Sequence, residues 1–151
     1  MKTNCLFTAI AVLFMISCAK DIPNLPTASE SYDYTGTVTV IYQEAPFDNE
    51  NIRVTYFPAD DGQTAYITLH HIRFVPQMPV TIDVTIPDIV LEQSGGTTLL
   101  SCEKTIPLAL GGEYPKYTVT NLEGEVLGNA LRFSLNFGKY PTSFSGQRKQ
   151  D

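Results

Sequence analysis

His70 and His71 are the two histidines of a 151-residue chain, and adjacent imidazoles raise the question of a metal site. The run around them, Tyr66 to Phe74, has the composition of a strand, and neighbouring strand residues face opposite sides. The pair is therefore not expected to share one ion, and no Cys or Glu stands at the spacing of a zinc site. Ser101-Cys102-Glu103-Lys104 matches Ser-x-x-Lys, a pattern that needs a helical turn to bring the lysine beside the serine. On a strand those two positions diverge, and the companion signatures of such enzymes are missing. No Gly-x-Ser-x-Gly and no phosphate-binding loop occurs. Glu123 and Glu125, which flank Gly124, read as a solvated turn rather than a catalytic pair. Asp60 and Asp61 read as a hairpin turn, because the oxygen-rich spacing of a calcium loop is absent. Cys102 reads as a small buried hydrophobe. No catalytic residue, metal or cofactor is indicated, and the chain is expected not to be an enzyme. The remaining candidates are Tyr42, Tyr56, Tyr66 and Phe133, aromatics placed by alternation on apolar faces, where they would either line or fill an interior.

Those aromatics sit in a chain that alternates with a period of two. Leu131, Phe133, Leu135 and Phe137 alternate with Arg132, Ser134 and Asn136; Val80, Ile82, Val84 and Ile86 alternate with Thr81, Asp83 and Thr85. Val38, Val40 and Tyr42 repeat the pattern, which marks strands with one buried face. Asp60-Asp61-Gly62, Ser94-Gly95-Gly96, Gly111-Gly112, Gly128-Asn129 and Gly138-Lys139 separate the runs. Short strands joined by frequent turns predict an all-β, antiparallel domain of about eight strands, closed as a barrel or split into a two-sheet sandwich. Lys104 to Pro115 is the longest irregular stretch, a wide loop or a crossover. A formal charge of −6 argues against a nucleic-acid partner, which calls for a basic patch.

The N-terminus reads as an address. Met1–Asn4 carries a lysine, and Cys5 to Ile16 is apolar but shorter than the ~20 residues of a membrane-spanning helix. This is the layout of a secretory signal. Met15-Ile16-Ser17-Cys18 resembles a bacterial lipobox, with Met15 in place of the usual Leu. The resemblance implies cleavage after residue 17, acylation of Cys18 and attachment to a membrane through two chains, which anchor stably where one does not. Residues 18–31, with Pro23 and Pro26, read as a flexible tether, and 32–151 as the folded domain. Ala19-Lys20-Asp21 is incompletely similar to a surface-export signal of Bacteroidota lipoproteins, so the periplasmic and surface faces both stay open.

Tyr34 to Val40, Asp61-Gly62 followed by Ala65 to Leu69, Met78-Pro79-Val80 running into Ile86 to Ile89, and Leu122 to Phe133 resemble the calycin-like, lipocalin-like β-barrel domains of Bacteroidota lipoproteins. The resemblance implies an up-and-down barrel on the outer membrane and no particular activity. The expected function is an envelope barrel holding a small apolar or aromatic ligand in its mouth at Tyr42, Tyr56, Tyr66 and Phe133. The alternative is a packed structural or interaction module that recognises a partner by its surface. If the barrel closes, the strand around Val38 and Val40 must pair with the one around Phe144, because closure removes both edges.

Overall fold

The computed structural model describes residues 25–149; the segment expected to be a signal and the expected acylation site Cys18 lie outside them. Ten strands form: β1 (Tyr32–Tyr42), β2 (Ala45–Pro58), β3 (Thr64–Ile72), β4 (Ile82–Ser94), β5 (Thr97–Thr105), β6 (Leu108–Ala109), β7 (Gly112–Glu113), β8 (Val119–Leu127), β9 (Ala130–Phe137) and β10 (Tyr140–Arg148). Eight of them, in the order β1-β2-β3-β4-β5-β8-β9-β10, pair antiparallel with their neighbours. β1 then pairs with β10, so the sheet is a closed up-and-down barrel of the calycin-like kind. The closing register sets Val38 opposite Phe144 and Val40 opposite Thr142. The two-sheet sandwich is thereby excluded.

Alternation determines what fills the barrel. On β9, Leu131, Phe133, Leu135 and Phe137 are buried while Arg132 and Ser134 are exposed. Tyr34, Val38 and Val40 from β1, Val54 and Tyr56 from β2, and Ala65, Ile67 and Leu69 from β3 join them in one continuous core. Burying each large apolar side chain contributes ~1.5–3 kcal/mol, and such side chains fill most of the inward positions.

Four local features depart from the sequence reading. The stretch from Lys104 to Pro115 is neither a wide loop nor a crossover: β6 and β7 form a small hairpin, and β6 pairs with β4 through Val84–Ala109 and Thr85–Leu108. β4 begins at Ile82, leaving Val80 60% exposed in the preceding loop. Glu123 and Glu125 are mid-strand residues of β8, not a turn. The final part of the expected tether is held: Asp60 N–H donates to Thr27 O, and Asp60 accepts from Ser29 N–H and Oγ at 2.8 and 2.7 Å.

Both ends of the barrel are closed by aromatic side chains. At one end Phe74 stacks on Tyr117 at 3.9 Å between ring centres and meets Phe137 edge-on at 4.9 Å. Tyr114, Tyr140 and Tyr42 extend that cluster. At the other, Tyr34 and Tyr56 are buried beneath Tyr32 and the Arg148 guanidinium, which lies over the Tyr32 ring.

Candidate functional site

The four aromatic candidates are not brought together. Phe133 is in the core and touches Phe144, with ring centres 5.4 Å apart. Tyr56 is buried at the opposite end from Tyr42, and burial pushes its phenol up to about 12. Tyr42 is half-buried at the rim. Tyr66 does not face the interior as alternation predicts: Ala65, Ile67 and Leu69 are the inward residues of β3, so Tyr66 points outward and stacks on Phe57 at 4.5 Å. Cys102 is buried, and burial raises its thiol above the ordinary range, which makes it a poor nucleophile.

The histidines are placed by a bulge. The β3–β4 register shifts between Leu69 and Ile72, and His71 takes a φ of +58°, a left-handed conformation uncommon outside glycine. Leu69 and Ile72 thus both face inward, and the two histidines share the outer side rather than diverging as simple alternation required. They flank one carboxylate: Asp83 lies 3.4 Å from His70 Nδ1 and 3.8 Å from His71 Nδ1, and it accepts the His71 backbone N–H at 2.9 Å. Burial works to raise the Asp83 carboxyl, but that N–H and the two imidazoles outweigh it and hold the group below its usual value. His70 Nε2 is 3.0 Å from Thr55 Oγ1, which donates to Asp33 at 2.6 Å. Among the described residues no group of three or more His, Cys, Asp or Glu is arranged to hold a metal ion. This chain of contacts knits β1 to β4 together from outside, and Thr55 is too buried and too firmly bonded to Asp33 to attack a substrate.

A wide concavity lies on the opposite outer wall. A trough of about 870 Å³ runs over β1, β10, β9, β8 and β5, and a hollow of about 340 Å³ continues it past Thr39, Asn121, Ser134 and Ser143. The strand register builds its floor from two rows of outward side chains. One row is Thr39, Ser143, Ser134, Glu123 and Ser101; the other is Thr37, Ser145, Arg132, Glu125, Leu99 and Glu92. Six of these eleven are Ser or Thr, so the floor is low.

Inward glycines lower it further. A Cβ on Gly36 would fall 2.0 Å from the Ser145 carbonyl oxygen, and one on Gly124 would fall 2.4 Å from that of Arg132. Backbones meet at these points, which lets the strands bend inward. The sequence reading did not single out this wall, because Ser, Thr and Glu at outward positions read as any solvated strand face. The available signal was glycine at inward positions, with Gly124 opposite Phe133 and Gly36 opposite Gly146.

Four carboxylates, from Glu92, Glu103, Glu123 and Glu125, face the trough against one guanidinium, from Arg132. Arg132 is already paired with Glu125 at 3.0 Å. Thr39 donates to Asp48 at 2.7 Å; among the described residues the trough serines have no side-chain hydrogen bond of their own within the protein. Ser101 lines the trough and Lys104 does not, so the Ser-x-x-Lys pattern assembles no acylation site. No family model, curated protein or solved structure matches the chain.

Proposed function

We propose that this protein is a non-enzymatic, lipid-anchored barrel of the bacterial outer membrane that works by recognising a partner along its outer trough. One observation carries the reading: the interior is filled and capped with aromatic rings, whereas the large concavity is outside. A barrel of eight strands can hold one small ligand or be filled by side chains. The filled interior supports surface recognition over a ligand in the mouth. The lipobox-like Met15–Cys18 supports the anchor, and two acyl chains at Cys18 would hold the domain at the membrane without a spanning segment.

Two measurements test the proposal. Cys18→Ala should leave the precursor unacylated and move it out of detergent-extracted membranes; unchanged mass and partition would remove the anchor. A photo-crosslinking residue at Ser143 in the trough should give a discrete adduct in whole cells, while the same residue at the exposed Glu50 should not. Equal labelling from both positions would overturn the trough as the recognition surface.

A further inference from the structure

The trough differs in charge from what a neutral or anionic partner would require. Four carboxylates face it, and the single guanidinium among them is engaged by Glu125. Glu123 stands mid-row between Ser134 and Ser101, which are too small to cover it. Glu103 stands two residues beyond Ser101 on β5, in the same wall. Among the described residues no aromatic ring is exposed on the floor, since Phe133 and Phe144 lie beneath it at 3% and 2% exposure. Stacking on sugar or nucleobase rings therefore has no platform.

Every strand under the trough is paired on both sides in the closed barrel, so an added strand has no backbone edge to join. A partner must be held by side chains, and these offer hydroxyl groups, negative charge and, at Leu99, an exposed apolar group. Adjacent strands are ~4.8 Å apart, so the row from Thr39 to Ser101 spans roughly 19 Å, the length of about six extended residues.

Resting on the reading of the trough as the recognition surface, we infer that its occupant is an extended, lysine- or arginine-rich segment of another protein. The segment crosses the β10, β9, β8 and β5 strands, with its cations at Glu123 and Glu103 and its backbone over the serine floor. Charge complementarity supplies orientation and encounter rate more than raw affinity. Binding should be weak and strongly salt-dependent, since exposed charges are screened beyond a Debye length of about 8–10 Å near physiological ionic strength.

The experiment uses the acylated full chain in detergent and labelled hexalysine at low salt. Saturable binding is expected, at least about tenfold weaker in Glu103→Gln/Glu123→Gln. It should be unchanged in Glu50→Gln/Glu113→Gln, which removes the same charge away from the trough. Equal loss in the two double variants would mean that only net charge is sensed and would overturn the inference. So would spermine competing as well as hexalysine at equal charge, because a small polyamine would then suffice. If hexalysine fails to bind while Ser143 still gives its adduct in cells, the trough reading stands and the cationic partner is wrong. Loss of both would remove the two together.

Discussion

The outer wall over β1 to β4 and the outer wall over β5, β8, β9 and β10 are both polar and belong to one continuous barrel, yet they use their polar groups differently. On the first, Asp33, Thr55, His70 and Asp83 are bonded in series, Thr68 and Thr85 share a hydrogen bond of 2.8 Å, and Phe57 and Tyr66 cover each other. The His70 side chain is 15% exposed there. On the second, small hydroxyls and carboxylates stand apart over a hollow of about 870 Å³, and Arg132 is 60% exposed even though it is paired. Polar groups that satisfy one another strengthen the wall they belong to and leave little for a partner. Groups left to water can exchange it for a partner at small cost, since hydrogen bonds to solvent are replaced in kind.

The largest effect should come from what both walls share. Phe133 is buried beneath the trough against Phe144, so Phe133→Ala should cost ~3–5 kcal/mol in chemical denaturation. That approaches the whole stability of a small domain. Because the residue supports the floor, the variant should also lose the Ser143 adduct. A loss below about 1 kcal/mol would mean that the core under the trough is not close-packed.

Alkaline pH tests the closed end shared by β1 and β2. The folded chain keeps the Tyr56 phenol protonated to about 12, whereas the unfolded chain ionises it near 10. The stability associated with this group is intact below pH 10 and falls as pH rises from there towards 12. With each pKa unit worth ~1.4 kcal/mol, the loss is about 2–3 kcal/mol. Tyr56→Phe should flatten the fall, leaving the part due to Tyr34 and Tyr117, which burial also raises, and to Tyr32, raised by its hydrogen bond to Glu30. A wild-type stability curve that is flat between pH 10 and 12 would show the end to be open to water.

Thr55→Val separates the two walls directly. It removes the hydroxyl between Asp33 and His70 while preserving shape, and leaves His70 Nε2 part-buried without its partner. The expected cost is ~1–3 kcal/mol, the usual penalty for an orphaned polar group. Thr39→Val on the trough side of β1 loses only an exposed bond to Asp48 and should cost about 0.5 kcal/mol or less. Similar costs for the two would erase the distinction between the walls.

Much of the barrel was legible in the residues. The alternation of Leu131 to Phe137 gives the buried face of β9; it fits a barrel and a sandwich alike, and the pairing of Val38 with Phe144 follows only once a closed barrel is taken. What was hidden depends on local backbone geometry. Gln43 and Glu44 make the β1–β2 turn with φ of +52° and +65° and no glycine to announce it. The bulge at His71 puts two adjacent side chains on one face, which period-two reading forbids. Alternation back from Phe74 and Ile72 puts Tyr66 on the inner face, but the same bulge breaks that period, so Ala65, Ile67 and Leu69 face in. The trough was hidden for another reason: concavity is a property of several strands together, and Ser134, Ser143 and Ser145 are individually unremarkable.

The smallest effect is the most discriminating one for the open wall. Arg132 and Glu125 form an ion pair of the trough, at 3.0 Å, with side chains 60% and 36% exposed. Exposed pairs contribute ~0–1 kcal/mol, because solvent screens the attraction and two long side chains must be ordered to make it. Arg132→Ala and Ser134→Ala should therefore each shift the denaturation midpoint by an amount equivalent to about 0.5 kcal/mol or less. Binding should respond differently. Removing the guanidinium frees Glu125 and makes the trough more negative, so Arg132→Ala should bind hexalysine more tightly than the wild type while unfolding almost identically. A residue kept for stability would give the reverse pattern, a clear loss on denaturation with no gain in binding. That result would place the trough among ordinary solvated strand faces, with the difference between the two walls a matter of side-chain size alone.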